Sequence, residues 1–312
     1  MFGLKKKKSS SPERKLQKTS VADEMRIKSI LGIRKLESMP AQAARAFQLA
    51  SNPNAKISDF VKVIEADEAL SARIVRIANS VYFRRGEEAK DIEKAVANIG
   101  LNELRCLISA TMLRSLLLGK HKAREQIWAN AVATAICCRK LSARTNVGEG
   151  EAFLCGLLHD VGKLIMIRKN GELYERVLLK AAGGESSFVQ AEDQVFDLNH
   201  IEVGRWIGEK WSFPEAAIRA IAFHHHSWPK DAAQRGRATS HAMLVKAADT
   251  IAHAAGIGHG ANFRPFQQQA DRELERVREQ LQFGSIAEVR SLVEQLQGEF
   301  EREFSLYRAE NW

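Results

Sequence analysis

Apolar residues recur every three or four positions along most of this chain and rarely alternate one by one. That periodicity predicts helices and gives no persuasive strand. Between residues 22 and 120 it predicts a series of short helices. Ser58 and Asp59 precede Phe60, Val61, Val63 and Ile64, which reads as an N-cap ahead of an apolar face. Ile74, Val75, Ile77 and Ala78 share one face of a helix over 71–81. A helix over 92–99 stops at Gly100. Residues 104–118 are apolar on most faces and stop at Gly119, the pattern of a buried helix.

A second helical block spans 121–255, with helices over 128–141, 152–159, 174–182, 201–211, 214–225 and 238–255. Pro214 suits the first position of its helix. Residues 256–268 are rich in Gly and Gln and read as a linker, followed by a helix around 270–282. Ser285 and Glu288 have the spacing of a capping box. Behind them Ile286, Val289, Leu292, Val293, Leu296, Phe300 and Phe304 form one stripe, expected to dock on the protein's own body. No internal repeat is visible.

Composition sharpens this picture in three places. A chain of 312 residues, 45% hydrophobic, is long enough for a sizeable core and for one to three domains. The net charge of +9 suggests nucleic acid until it is located. Lys5, Lys6, Lys7, Lys8, Arg14, Lys15 and Lys18 stand against Glu13 alone, so about +6 lies within residues 1–20 and about +3 in all the rest. The basic character belongs to a tail, expected to be disordered over 1–21. Specific nucleic-acid binding is not expected, and Lys5–Lys8 could make at most weak contact with an anionic surface. Cys106, Cys137, Cys138 and Cys155 sit in apolar helical contexts without a CxxC pair, so they read as buried, reduced thiols of a cytoplasmic protein. No apolar run spans a bilayer, and no apolar segment follows the lysines to make a secretory signal. There is no P-loop or dinucleotide-binding glycine motif.

The candidate chemistry lies at the end of the apolar run 153–158, where His159 and Asp160 follow directly, then Gly162 and Lys163. Such groups are costly to desolvate without a partner, and a divalent metal is one that takes both imidazole nitrogen and carboxylate oxygen. His200, His224, His225, His226 and Asp249 supply further donors. Three consecutive histidines at a helix end point around its axis, so at most two can face one site. The competing reading is a polar core in which His and Asp simply pair each other.

The order of these residues resembles the HDOD proteins, bacterial signalling domains related to metal-dependent HD phosphohydrolases. Leu36, Met39 and Pro40 begin the resemblance. It continues through Val63-Ile64, Asp67, Ala69-Leu70, Arg73-Ile74, Arg76-Ile77-Ala78-Asn79-Ser80 and Tyr82-Phe83, then Ile92, Ala95-Val96 and Ile99-Gly100-Leu101. His159-Asp160, Gly162-Lys163, His200, Glu202, Gly204, Trp211, Phe213-Pro214, His224-His225 and Asp249 complete it.

The resemblance implies an all-α, HD-like bundle. An HDOD domain would cover 22–255, with an N-terminal helical lobe over 22–120 and an HD-like lobe over 121–255. A linker and C-terminal helices would fill 256–312. It places Asn79 as a cap or bridge between helices. In catalytic HD enzymes a histidine on an earlier helix, the His-Asp pair and a late aspartate hold the metal. Here those positions fall on Asn130, His159, Asp160 and Asp249, with Lys163 placed to meet phosphate charge. An amide oxygen is a much weaker ligand than imidazole for transition metals. Residues 226–230 also lack the acidic residue and Gly-Tyr-Pro stretch of the HD-GYP phosphodiesterases.

What remains is a candidate pocket of Asn130, His159, Asp160, Lys163, His200, His224, His225 and Asp249. Any metal would sit on His159, Asp160 and Asp249. The function expected is non-catalytic regulation through signalling-protein partners, without a cofactor. The alternative is a metal-dependent phosphohydrolase with an incomplete site. Glu202 and Glu209 are expected to pair with basic neighbours, and His121, His241, His253 and His259 to be surface or packing residues.

Overall fold

A computed structural model describes residues 16–52, 54–80, 82–84, 87–117, 121–183, 186–258 and 263–307. Among them there is no strand, so the protein is all-α. The expectations for Lys5–Lys8, for Gly119 and for His259 lie outside the described residues.

The chain begins with α1 (Val21–Ile30), α2 (Ala41–Ser51), α3 (Ile57–Glu65), α4 (Glu68–Ala78), α5 (Ile92–Ile99) and α6 (Leu101–Leu116). α7 (Lys122–Leu141) pairs with α8 (Glu149–Leu158), and α9 (Val161–Lys169), α10 (Gly171–Ala182) and α11 (Phe188–Phe196) follow. α12 (His200–Lys210) crosses α9, α13 (Glu215–Phe223) follows, and α14 (His241–Ala254) packs on α7 and α13. α15 (Arg264–Leu281) lies on α14, and α16 (Ile286–Tyr307) crosses α7. One contiguous apolar core runs from Ile27 to Tyr307.

Several boundaries move from the expected positions, each for a local reason. α3 is capped at Lys56, not Ser58, because the Asp59 carboxylate turns back to accept the Lys56 backbone N–H at 3.0 Å. α4 starts three residues early: Asp67 accepts the Leu70 N–H at 3.0 Å, while Ser71 donates to the Ile64 carbonyl at 2.8 Å. Pro214 is the N-cap of α13, not its first helical residue. The expected linker 256–268 is shorter, since α15 already begins at Arg264, where Phe266 packs edge-on against Phe188. α9 is buried through most of its length and carries no periodicity to betray it.

Asn79 ends α4 and ties it to the next segment, donating to the Ala89 carbonyl at 2.9 Å and accepting the Ala89 N–H at 2.7 Å. α16 buries Val289, Leu292, Leu296 and Tyr307 on the body, as its stripe requires. Its end is pinned from both sides. Trp128 Nε1 donates to the Tyr307 carbonyl at 3.2 Å, and Arg73 donates to that of Leu306 at 3.0 Å. Arg139 bridges Glu103 and Glu303, and the Tyr82 hydroxyl donates to Glu303 at 3.1 Å.

Candidate functional site

His159 and Asp160 occupy the joint between α8 and α9, where His159 ends one helix and Asp160 begins the next. A joint frees both side chains from helical spacing, so adjacent residues can point at one centre. α9 and α12 meet at Gly162, where an added Cβ would lie 2.0 Å from the His200 carbonyl oxygen. That contact sets His200, first residue of α12, beside Asp160. His224 and His225 follow the end of α13, and Asp249 with His253 project from α14. The structure thus brings the eight expected residues to one region, with Asn130 approaching from α7.

The donors fall into a tight group. One ligand atom each from Asp160, His200, His224 and His225 lies within 4.8 Å of every other. Asp160 Oδ1 is 3.4 Å from His200 Nε2 and 3.8 Å from His224 Nε2, and His200 Nε2 is 3.0 Å from His225 Nε2. His159 Nε2 lies 3.3 Å from Asp160 Oδ2 and 3.6 Å from Asp249 Oδ1. His226 packs on Phe223 instead, so two of the three consecutive histidines face the centre.

Three imidazoles are oriented by acceptors on their far nitrogens. His159 Nδ1 donates to the Gly156 carbonyl at 2.6 Å, and His224 Nδ1 to those of Ala220 and Ile221 at 3.0 Å. His200 Nδ1 donates to Glu192 at 2.5 Å; Glu192 is fully buried and also accepts the His200 N–H and the Tyr174 hydroxyl. A carbonyl or carboxylate can only accept, so the proton sits on Nδ1 and Nε2 faces the centre. Outer partners of this kind fix metal-binding histidines. His159 Nε2, Asp160 Oδ1 and His224 Nε2 are buried without a hydrogen-bond partner among the described residues. Converging buried donors that do not bond each other fit a divalent cation, as does the mix of imidazole and carboxylate.

The charges also balance without one. Burial disfavours a charged His159, but Asp160 and Asp249 outweigh it and push the imidazole up to about 10. Burial works against ionised Asp160 as well, yet His159 and Lys163 hold it well below the ordinary carboxylate range. Asp249 is likewise held low against burial, chiefly by His253 and His159. Lys163 donates to Asp160 Oδ2 at 2.6 Å. His224 is pushed down to about 3 by burial and by charged His159, so it stays neutral. Protonated His159 and Lys163 offset Asp160 and Asp249, while buried Glu192 is met by the donors of His200 and Tyr174.

The two sides of the cluster differ. Beside Asn130, Asp160, Lys163 and His253 the free space is only about 10 Å³, the scale of one water. Asn130 Nδ2 lies 3.3 Å from His253 Nδ1, and Gly258 closes over it so nearly that a Cβ there would stand 2.6 Å from the Asn130 Cβ. On the other side a cleft of about 360 Å³ opens past His224, His225 and Asp249.

Sequence reasoning missed Glu192, Tyr174 and His253. Glu192 had a signal: it lies on the stripe of Phe188, Ala191 and Phe196, where an acid needs a buried partner. His253, expected at the surface or in packing, instead lies one turn beyond Asp249 and 3.1 Å from it. His121 and His241 pair with Glu175 and Glu151. Glu202 pairs with Arg26, whereas Glu209 accepts the Thr19 backbone N–H at 3.0 Å.

The HDOD domain family profile matches residues 36–227. An uncharacterized protein of Treponema pallidum is 26% identical over 202 residues, 61% of this chain and 38% of the relative. Ribonuclease Y of Lactobacillus gasseri is 27% identical over 187 residues, 57% of this chain and 27% of that enzyme. The chain therefore spans well under half the length of these curated relatives. Among solved structures, an HDOD domain protein of unknown function from Geobacter sulfurreducens superposes with a TM-score of 0.71 at 20% identity, over 92% of this chain and 98% of its own. A candidate phosphohydrolase of Shewanella amazonensis gives 0.66 at 20% identity, over 93% and 99%. At that identity both show the fold alone.

Proposed function

The chain belongs to the HDOD family, and on that footing we propose that it is a non-catalytic signalling module acting through other proteins. Asn130 carries this reading. It stands where catalytic HD enzymes place a metal-binding histidine, its amide engages His253, and about 10 Å³ is left beside it. An imidazole has no room there, and the neighbouring charges already compensate one another. The experiment compares the parent with Asn130→His and Asp160→Ala on a phosphomonoester and a phosphodiester, with and without added Mn²⁺. No turnover is expected in any of them, and Asn130→His should be less stable than the parent. Metal-dependent turnover by the parent, lost in Asp160→Ala, would overturn the proposal.

One observation favours a second reading, a metal-dependent phosphohydrolase. Asp160, His200, His224 and His225 would hold a divalent ion at the foot of the open cleft, a different set from His159, Asp160 and Asp249. Such an ion, when bound, supplies a Lewis acid and a more acidic water. Glu192 would orient His200, and Lys163 would meet phosphate charge. Elemental analysis of protein purified without chelator separates the two readings. Stoichiometric metal that disappears in Asp160→Ala favours the second. Metal-free protein, with the variant only less stable, leaves an ion-paired core.

A further inference from the structure

The cleft of about 360 Å³ has a wall that the family match does not contain. Phe266, Gln269, Glu273 and Arg276 come from α15, beyond residue 227. Trp228 and Lys246, also beyond residue 227, line it with them. Lys246 is half-buried and has no carboxylate within 4 Å among the described residues. Its ammonium donates to the His226 carbonyl at 2.7 Å and lies 5.1 Å from the centre of the Trp228 ring. Glu273 and Asp249 act on it only from beyond hydrogen-bonding reach, so of its three donors the carbonyl takes one and the others remain for an anion in the cleft. His224 Nε2, 1% exposed and unpartnered, also lines the cleft.

The remaining lining defines the shape of a ligand. Trp228, in the segment after α13, and Phe266, on α15, are partly buried ring surfaces of the lining. Trp228 is fixed in place by donating Nε1–H to Glu273 at 3.0 Å, and Arg276 lies 3.5 Å from the same carboxylate. A flat ring against these walls would leave Lys246 and Arg276 for an anionic group. Glu273 can accept from, and Gln269 both accept from and donate to, polar edges of the ring or its hydroxyls. The volume suits a small molecule rather than a folded partner.

We propose that the cleft between α14, α15 and the segment after α13 binds a nucleoside monophosphate. The ring lies against Trp228 and Phe266, and the phosphate meets Lys246 and Arg276. Binding of this kind does not depend on what the cluster does; its service as the module's input rests on the signalling reading. The phosphoesterase assay tests that reading separately, so the two can fail independently.

The intact protein is titrated with each ribonucleoside monophosphate and, separately, with inorganic phosphate, by calorimetry and tryptophan fluorescence. At least one monophosphate is expected to bind below about 1 mM and about tenfold or more tighter than inorganic phosphate. Lys246→Met should weaken that binding about tenfold. Trp228→Phe should remove the fluorescence change while calorimetric binding persists, since a ring face remains. Phe266→Ala on α15 provides a second weakening variant should Lys246→Met fail to fold. Absence of monophosphate binding, equal affinity for inorganic phosphate, or binding indifferent to both Lys246→Met and Phe266→Ala would each overturn the proposal.

Discussion

Replacing Gly162 by alanine tests how the site is assembled. The new methyl carbon would stand 2.0 Å from the His200 carbonyl oxygen, 2.8 Å from its carbonyl carbon and 2.9 Å from the Gly204 nitrogen. All three are backbone atoms of α12, which cannot rotate aside as a flexible side chain would. Carbon keeps about 3.5 Å from its neighbours, so α9 and α12 must part by roughly 1.5 Å. Overpacking costs about 1–3 kcal/mol where side chains can yield. Here the backbone must yield, and His200 moves with it away from Glu192 and Asp160, so about 3 kcal/mol or more is expected. For a chain of this size that lowers Tm by roughly 5–10 °C. Gly183→Ala is the control: its backbone is helical at φ −65°, and the nearest atom to the added carbon is the Lys180 carbonyl oxygen at 3.7 Å. That variant should be neutral or slightly stabilised. Thermal unfolding followed by circular dichroism compares the two. If Gly162→Ala melts within about 1 °C of the parent, or if both variants fall alike, the close packing of α9 on α12 is not what positions the cluster.

Three further predictions follow from named contacts. Glu192→Leu removes the acceptor shared by the His200 N–H and Nδ1, so the ring loses its fixed tautomer; on the metal-binding reading Zn²⁺ affinity should fall about 10–100-fold with helicity kept, and unchanged affinity would refute the orienting role. Arg139→Met leaves the largely buried Glu303 beside Glu103 without its cation, so urea unfolding should show a loss of about 3 kcal/mol, with part recovered by adding Glu303→Gln. The chain has three tyrosines, and burial first, then carboxylates such as Glu303 near Tyr82 and Glu192 near Tyr174, raises their pKa values: Tyr82 to about 12, Tyr174 and Tyr307 well above the usual 10. Between about pH 10 and 12 the folded chain keeps protons that the unfolded chain loses, so stability should fall as pH rises through that window. Tyrosinate absorbance in native protein near the ordinary tyrosine pKa would contradict this.

Much of the fold was legible because its helices are amphipathic. The stripe through Val289, Leu292 and Leu296 and the stop at Gly100 are local features, and they sit where the pattern put them. α9 was not legible: Val161–Ile167 is buried on every side, so burial leaves no periodicity. The cluster was legible as a set of residue types. Its geometry was not, because which donors share a centre depends on the crossing of α9 and α12. The pairing of His253 with Asp249 is a helical i,i+4 spacing, but its contact with Asn130 depends on α7 meeting α14, which no local pattern encodes. The division into a closed Asn130 side and an open His225 side depends on a loop and on α15, both far along the chain.

The residues of the cluster are spread from Asn130 on α7 to His253 on α14, and α15 and α16 then pack over α14 and α7. During synthesis, a chain extended only to residue 227 has His159, Asp160, His200, His224 and His225 but no Asp249. His159 then lacks one of the two carboxylates that keep it charged. The polar centre would therefore stay wet while the earlier helices collapse around it, and would lose its water only when α14 closes. The helix that supplies Asp249 and His253 is thus the one that seals the site. A ribosome-stalled series of chains, probed by protease, would place the protection of the His159–Asp160 joint after residue 253 and not at residue 227.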